Sequence, residues 1–354
     1  MMSKGSLYFK FKALYIKSAS WEYWPIWLVY FPLSFYYVYL SIKARSFFFF
    51  SAANPSIETG GMFFESKWSI FQLIPQEYFP PTILINTDND TYQISEKMRA
   101  ANISFPVIAK PDRGERGWCV KKINSVSELI NYKQSVNIPF LIQTYINLPV
   151  ELSIFYYRNP QSKNGSVTSV TFKKLLAVTG NGRSTIEELI KKDNRAFLQF
   201  NRLKKENEIN FDVILKDGEE KLLVPYGNHV LGTTFLNYNH IIDPELNAAI
   251  DQISKRIPGF YYGRYDLRCA SIEELKKGIN ISILELNGAS AEPAHIYNPG
   301  FSFFKAQLVL IRHYKMLYQA AIANKKKGAV FMSYRSFWNT RNLEKVLKQK
   351  INVL

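Results

Sequence analysis

The chain has 354 residues, of which 47% are hydrophobic and 21% charged, and its formal net charge is +16. This composition excludes a disordered chain and a multi-span membrane protein, and the length is enough for two or three domains. The charge favours anionic partners such as nucleotides or anionic lipid, but we expect no nucleic-acid partner, because no nucleic-acid-binding motif is present. Cys119 and Cys269 match no paired metal-ligand spacing and indicate a reducing, cytoplasmic compartment.

The first predicted region, residues 1–61, is rich in aromatic side chains. Twenty uncharged residues, YWPIWLVYFPLSFYYVYLSI, lie between Glu22 and Lys43. Their number suits a membrane span, whereas Pro25, Pro32 and the many Tyr and Trp residues favour the water–lipid interface. Two interpretations stay open. The segment either contacts an anionic membrane surface, lying on it or anchored in it, or packs against the neighbouring domain.

The second predicted region, residues 62–324, alternates strand-like and helix-like segments, which predicts an α+β or α/β arrangement of layers. Two capping boxes, Ser125 with Glu128 and Ser184 with Glu187, predict helix starts. In a capping box two side chains accept hydrogen bonds from amides at the start of a helix, so each of these residue pairs marks a position where a helix can begin.

The clearest helix is predicted by DPELNAAIDQISKRIPG, in which Asp243 is the N-cap and Pro244 takes the first helical position. A long helix ending in lysines closes the central region. Residues 325–354 are predicted to form a basic C-terminal tail.

The segment YYGRYDLRCASIEELKKGINISILELNG predicts two strands joined by a connection. Alternation places Arg264, Asp266 and Arg268 on one face of the first strand, where charges are costly unless they bind something. It places Glu285 and Asn287 on one face of the second. If the strands pair antiparallel, Asp266, Glu285 and Asn287 converge into an oxygen-donor set that suits Mg²⁺. Arg264 faces the same space and can neutralise developing phosphate charge.

The stretch FPVIAKPDRGERGWCV begins as a buried strand and continues into a turn with two glycines. Lys110 stands at the end of the strand, and Pro111 holds extended geometry around it. Gly114 and Gly117 let the backbone approach a phosphate. The lysine precedes the glycines, so the pattern is not a P-loop. It predicts a flexible hairpin over a triphosphate.

Together these two stretches resemble the ATP-grasp superfamily, specifically its carboxylate–amine ligases, such as D-alanine–D-alanine ligase and the cyanophycin-synthetase ligase domain. The resemblance covers at most residues 62–324. It implies an ATP-grasp fold of two α+β subdomains that clamp ATP, with an atypical aromatic-rich N-terminal region. It also implies these nucleotide-binding positions: Lys67, Lys110, Gly114, Arg116, Gly117, Gln143, Tyr145, Ile146, Glu151 and Lys173.

Individual roles follow from the same resemblance. A hinge between the subdomains is expected near residues 143–151, where Gln143 corresponds to an adenine-facing side chain and Tyr145 and Ile146 to backbone contacts. Glu151 corresponds to the ribose-binding carboxylate.

The phosphate half is assigned in the same way. Lys67 corresponds to a second phosphate lysine, and Lys173 is expected to face the nucleotide. Lys110 and Arg264 are the implied catalytic residues. The implied metal ligands are Asp266, Glu285 and Asn287.

The resemblance implies ATP and Mg²⁺ as cofactors, with up to two ions and Mn²⁺ as a substitute. The implied reaction activates a carboxylate as an acyl phosphate for attack by an amine, and both partners are small molecules. His229 and His295 are candidate substrate contacts. The segment NGASAEPAHIYNPG departs from the D-alanine–D-alanine ligase pattern after the metal asparagine, so D-alanine is not implied.

Two other classes of function stay open. One is a membrane-surface scaffold that binds a nucleotide, and the other is a kinase-like phosphotransferase using the same ATP site. The sequence makes no prediction of oligomeric state.

Overall fold

The structure is a computed structural model that describes residues 4–115, 117–206, 209–225 and 227–351. Its helices are α1 Lys4–Ala19, α2 Ile26–Ala44, α3 Lys67–Phe71, α4 Thr91–Ala100, α5 Val126–Val136, α6 Ile186–Lys192, α7 Asn194–Glu206, α8 Pro244–Lys255, α9 Ile272–Lys277, α10 Phe303–Lys326 and α11 Tyr334–Gln349. Its strands are β1 Thr82–Ile85, β2 Val107–Pro111, β3 Lys121–Ile123, β4 Phe140–Thr144, β5 Val150–Tyr157, β6 Ser166–Lys174, β7 Ala177–Thr179, β8 Glu220–Leu222, β9 Thr234–Asn237, β10 Tyr262–Cys269 and β11 Ile281–Asn287.

The smaller sheet has four strands in the order β1-β4-β2-β3, all paired antiparallel. Helices α4 and α5 supply side chains such as Ile94 and Leu129 to the cluster beneath this sheet, where they meet Val107 and Ile142. The four side chains are almost fully buried. Each contributes roughly 1.5–3 kcal/mol to folding.

The larger sheet has five antiparallel strands in the order β11-β10-β5-β6-β9. One face carries apolar side chains such as Ile154 and Leu267, which belong to the same buried cluster as Leu246, Ile250 and Ile253 of α8. These three residues form the buried side of α8, and Asp243 caps the helix by accepting from the Leu246 amide, as predicted. Because side chains alternate along a strand, the opposite face of the sheet is free to carry polar groups.

The aromatic N-terminal region packs on the rest of the chain. Helix α2 lies along α10, where the Gln307 side chain donates to the Val29 carbonyl at 3.0 Å. Leu40 shares a hydrophobic cluster with Tyr262 and Leu317, so residues on both sides of the predicted boundary at residue 61 build one core. Within the described ranges, no helix combines the length and apolarity needed to cross a bilayer.

One helix start differs from the prediction. The capping box before α6 is Thr185 with Glu188, and the prediction of Ser184 with Glu187 is wrong by one residue. Ser184 is buried and accepts from the Lys192 ammonium, so its hydroxyl has another partner. The box one residue later places Ile186 and Ile190 in the core.

The two large antiparallel sheets, each with its own helices, face one another across a single cleft. This confirms the predicted α+β class. The connection at residues 145–149 joins β4 of one sheet to β5 of the other. This connection lies within residues 143–151, where the hinge is predicted.

Candidate active site

The cleft has a volume of about 690 Å³. Its floor is the polar face of the five-stranded sheet, and β2 and β4 of the four-stranded sheet form the facing wall. Helix α3 and the glycine-containing loop after β2 border one side. Residues Glu22 to Val29 of the N-terminal region border the other, so that region completes the enclosure.

The predicted metal ligands are brought together by strand pairing. β10 and β11 are antiparallel, with Asp266 opposite Glu285 and Arg264 opposite Asn287. Directly opposed residues of an antiparallel pair have side chains on the same face, about 5 Å apart. The Asn287 amide donates to Asp266 at 3.3 Å. The geometry thus places both carboxylates and the amide on the cleft floor.

Asp266 is the centre of a charge network. Arg264 donates twice to its carboxylate, at 3.1 and 3.0 Å, and the Ser153 hydroxyl also donates to it. The Lys173 ammonium lies 3.3 Å away. Burial alone would raise the pKa of Asp266, but Arg264 and Lys173 outweigh burial and hold the pKa well below its usual range. The carboxylate is therefore ionised at every physiological pH.

The same network continues along the floor to Glu151. Arg268 donates to its carboxylate at 2.7 and 2.9 Å, and Lys173 lies 3.5 Å from its second oxygen. Lys173 thus bridges Glu151 and Asp266. Arg268, which the sequence predicts on this face without an assigned role, is the partner that orients Glu151.

The donor set fits a divalent cation by its chemistry. Asp266 and Glu285 offer carboxylate oxygens and Asn287 an amide oxygen, which are the ligands Mg²⁺ prefers. Within the described ranges no three His, Cys, Asp or Glu side chains cluster as a metal site. The set contains only two such residues, and Mg²⁺ commonly completes its shell with water and substrate phosphate.

Lys110 spans the cleft between the two sheets. It is the next-to-last residue of β2, and its ammonium donates to the Gln143 side-chain oxygen at 2.9 Å and to the Leu284 carbonyl of β11 at 3.0 Å. Leu284 has no partner in β10, because Asp266 is opposite Glu285 whereas Leu267 is opposite Ile283. A bulge of this kind leaves a backbone group outside the ladder. Burial lowers the pKa of Lys110 to about 8.

Helix α3 presents the second predicted lysine. Lys67 is its first residue, and the Lys67 ammonium donates to the Gly114 carbonyl. Asp112, which sequence analysis did not single out, holds the helix to the loop: its carboxylate accepts from the Ser66 hydroxyl and the Trp68 amide, both at 2.9 Å. The loop and the lysine-bearing helix thus form one unit beside the cleft.

The glycine-containing loop has the backbone that the sequence predicts. Gly114 and Gly117 have φ values of +148° and +74°, which disfavour side chains. A Cβ on Gly117 would lie 2.4 Å from the side-chain nitrogen of Asn228, so the loop also approaches the segment on the far side of the cleft. Arg116, a predicted nucleotide contact, lies outside the described residues.

The predicted adenine-binding positions are partly engaged within the protein. The Gln143 side chain is buried between Lys110 and the Thr82 hydroxyl, to which it donates at 3.0 Å. The Tyr145 amide donates to the Pro106 carbonyl at 3.3 Å, and the Ile146 carbonyl accepts from Arg268 at 2.9 Å. All three residues line the cleft. In this structure, Gln143 orients Lys110.

The two candidate substrate histidines differ. His229 lines the cleft and pairs at 3.0 Å with Glu22, which also pairs at 2.6 Å with Arg195. His295 is absent from the described residues that line the cleft. It is buried against the Ser169 hydroxyl at 2.7 Å, and burial lowers its pKa to about 4. His295 is thus a neutral, buried histidine in this structure, and its role as a substrate contact stays a prediction.

Two further carboxylates border the cleft. Burial raises the pKa of Glu65 to about 7, and its Oε2 atom has no hydrogen-bond partner in the described part of the chain. Burial also raises the pKa of Glu292 to about 7, and the Tyr30 and Tyr297 hydroxyls donate to it. Glu65 could have been suspected from its position two residues before Lys67. Glu292 had no sequence signal, because its partner Tyr30 is distant in sequence.

No family model matches the sequence, and no curated protein sequence matches it. Solved structures do align with the fold. A bifunctional glutathione synthetase from Pasteurella multocida is 14% identical, with 71% of this chain and 35% of that chain covered and a TM-score of 0.39. The VanG D-Ala:D-Ser ligase from Enterococcus faecalis is 14% identical, with 72% and 61% covered and a TM-score of 0.41.

A D-alanine–D-alanine ligase from Bacillus anthracis complexed with ATP is 13% identical, with 74% of this chain and 68% of that chain covered and a TM-score of 0.42. The chain thus spans about a third of the matched synthetase and about three fifths of the VanG ligase. These proteins are ligases of the kind that the sequence motifs resemble. At these identities and TM-scores the likeness decides neither reaction nor substrate, and the proposal below depends on the residues of the cleft.

Proposed function

We propose that the chain is an ATP- and Mg²⁺-dependent ligase that activates a carboxylate as an acyl phosphate for attack by an amine. The observation that carries the proposal is the division of charge across the cleft. Two lysines, Lys67 and Lys110, border it on the side of the four-stranded sheet, while Asp266 and Glu285 lie on the opposite floor beside Arg264. A triphosphate between the two walls would meet cations on one side and metal-binding oxygens on the other.

The first step transfers the γ-phosphoryl group of ATP to the substrate carboxylate. A carboxylate oxygen forms a bond to the γ-phosphorus, the bond from that phosphorus to the bridging oxygen breaks, and ADP leaves. Such a transfer depends on positioning and on charge stabilisation. Lys110 would hold phosphate oxygens, and Arg264 would face the charge that develops on the acyl phosphate. Mg²⁺ bound by Asp266, Glu285 and Asn287 would neutralise phosphate charge.

In the second step the amine nitrogen attacks the acyl carbon. A C–N bond forms, the bond between that carbon and the phosphate oxygen breaks, and inorganic phosphate leaves with the amine proton passing to a base. The end of the cleft beyond Arg264 is bordered by Trp24, Val29 and Tyr297 of the described chain. We place the carboxylate and amine there, since the lysines and the hinge-side residues occupy the other end.

The test is phosphate release from Mg-ATP with a panel of amino acids, dipeptides and other carboxylate–amine pairs. The central variant is Glu285→Gln, because Glu285 is only partly buried and its replacement breaks no ion pair among the described residues. Glu273→Gln is the matched control, since Glu273 is exposed on α9 within the same β10–β11 connection. We expect release that depends on one pair, falls at least a hundredfold in Glu285→Gln and is unchanged in Glu273→Gln.

Product analysis separates the proposal from its rivals. A ligase yields ADP, free phosphate and a new amide in equal amounts. A phosphotransferase leaves a stable phosphorylated acceptor instead. Tight ATP binding without turnover for any pair would contradict the ligase and favour a nucleotide-binding scaffold.

A further inference from the structure

Helix α2 turns an apolar face to the surface of the molecule. Trp27, Phe31, Phe35, Tyr39 and Ile42 follow one another at intervals of three or four residues, and each is between 55 and 70% exposed. That spacing puts all five on one side of the helix. A run of this length, made of large apolar side chains, is unlike the scattered single hydrophobic residues of ordinary surfaces.

The opposite side of α2 is buried and fixes the helix to the rest of the fold. Val29, Leu33 and Leu40 are almost fully buried, and Leu33 packs with Leu310 of α10. The exposed face therefore belongs to a helix that is docked on the fold.

The charge around this face has one sign. Neither α2 nor its neighbour α10 contains an acidic residue. Residues 4–45 contain a single acidic side chain, Glu22, whose carboxylate is buried against Arg195. Exposed basic residues on or next to the two helices are Lys43, Arg45, Lys305, Arg312, Lys315, Lys325 and Lys326.

Helix α1 also has exposed apolar side chains and no acidic residue, although fewer of its apolar side chains are exposed. Phe11, Leu14 and Tyr15 are each more than 60% exposed, and α1 also contains no acidic residue. Lys17 follows them in its last turn. Two helices of the N-terminal region thus combine exposed aromatic side chains with positive charge. Aromatic side chains with Lys and Arg beside them are the residues that the water–lipid interface of an anionic membrane favours.

We propose that the outer faces of α1 and α2 dock onto the surface of an anionic lipid bilayer, with the aromatic side chains inserted among the headgroups. Anionic lipid satisfies both features at once: the apolar side chains leave water, and the basic residues meet negative headgroups. A second copy of this chain satisfies only the first. A symmetric dimer through this face would bring two surfaces of the same charge together.

The test uses the full chain and measures co-flotation with vesicles of phosphatidylcholine alone and with 30% phosphatidylglycerol. We expect binding to the anionic vesicles only, weakening as salt rises. In the variant Phe31→Ser/Phe35→Ser we expect at least a tenfold loss of vesicle affinity. The matched control is Tyr92→Ser/Trp338→Ser, which removes equally exposed aromatic side chains from α4 and α11 and should bind like wild type.

A second pair of variants isolates charge. Arg312→Gln/Lys315→Gln should weaken vesicle binding several-fold, whereas Lys163→Gln/Lys221→Gln, which removes two exposed lysines elsewhere, should not. Circular dichroism confirms that each variant is folded. Absence of wild-type binding to anionic vesicles would overturn the proposal. So would a dimer in sedimentation that Phe31→Ser/Phe35→Ser dissociates, because the face would then join two copies. Neither outcome depends on whether the cleft is a ligase.

Discussion

The two walls of the cleft treat charge in opposite ways. On the floor formed by β5, β6 and β10, the central charges are paired within the protein, as in the contacts of Asp266 with Arg264 and Lys173. On the facing wall, Lys110 is buried, and its hydrogen bonds go to a neutral amide and a neutral carbonyl. Without a ligand, the charges on the floor are therefore already neutralised by one another, whereas the charge of Lys110 on the facing wall has no ion-pair partner among the described residues.

The two pKa shifts express this difference. The pKa of Asp266 falls because neighbouring cations outweigh the effect of burial, and the pKa of Lys110 falls because burial outweighs the attraction of Glu285. A buried group without a full counter-charge is what an incoming anion can stabilise. We therefore expect Lys110 to matter for ligand binding more than for stability, and Asp266 to matter strongly for both.

The largest expected effect is on activity in Lys110→Met. Phosphate release should fall 10²- to 10³-fold, because the positive charge at the phosphates is lost. The free energy of unfolding should change by no more than about 1 kcal/mol, because the lost hydrogen bonds are offset by relief of a buried charge.

Calorimetry of ATP binding and urea denaturation check the two parts of this prediction. Lys121→Met is the matched control, since Lys121 is an exposed lysine of β3 opposite Ala109 in β2. A loss of several kcal/mol of stability in Lys110→Met would break the contrast between the walls.

Asp266→Asn should lower stability as well as activity. The amide keeps the shape but leaves Arg264 and Lys173 without their central counter-charge, which should lower the free energy of unfolding by about 3 kcal/mol. Urea denaturation measures it, with Asp88→Asn at an exposed position as control. If Asp266→Asn is as stable as wild type, the floor is not the self-compensated network described above.

A smaller effect is expected from pH. Lys110 in the folded chain has a pKa of about 8, below the value of roughly 10.4 for an unfolded lysine. As pH rises through 8, the lysine loses its proton, so metal-free ATP affinity should fall by up to about tenfold per pH unit.

The stability contribution of the same group has the opposite sign. Between pH 8 and 10 the unfolded chain binds more protons at this lysine, so stability rises with pH. Titration of ATP affinity in wild type and Lys110→Met separates this group from others. A pH dependence that persists in Lys110→Met would assign it elsewhere.

The smallest effect concerns the glycine loop, and the chain offers a close control. Gly117 and Gly218 have φ values of +74° and +75°, but only at Gly117 would a Cβ meet another side chain, that of Asn228. Both alanine variants should lose about 1 kcal/mol of stability from the left-handed backbone. Only Gly117→Ala should raise the KM for ATP several-fold. Equal KM values in the two variants would show that the loop's approach to Asn228 is unimportant.

The sequence predicted the candidate site correctly where it depends on the alternation of side chains along a single strand. Alternation along YGRYDLRC and ISILELN was enough to place Asp266 and Glu285 on one face, and the antiparallel pairing confirms that they are opposed. The sequence did not anticipate the burial of His295, because a lone histidine in a sequence does not indicate whether its ring reaches the cleft. It also missed Glu65 and Glu292, whose burial depends on residues distant in the chain.

The sequence by itself determined the α+β class, the order of lysine, glycine loop and carboxylates, and the aromatic, acid-poor character of the N-terminal region. These properties follow from the spacing of apolar residues, which repeats every two residues in a strand and about every 3.6 in a helix, and from the chemistry of single residues. They can therefore be recognised without knowing which segments pack together. Only the tertiary structure decided that Lys110 reaches the Leu284 carbonyl of the opposite sheet, and that one side of α2 is buried while the other is exposed. Those outcomes depend on which distant surfaces meet, because burial and pairing are properties of contacts between segments.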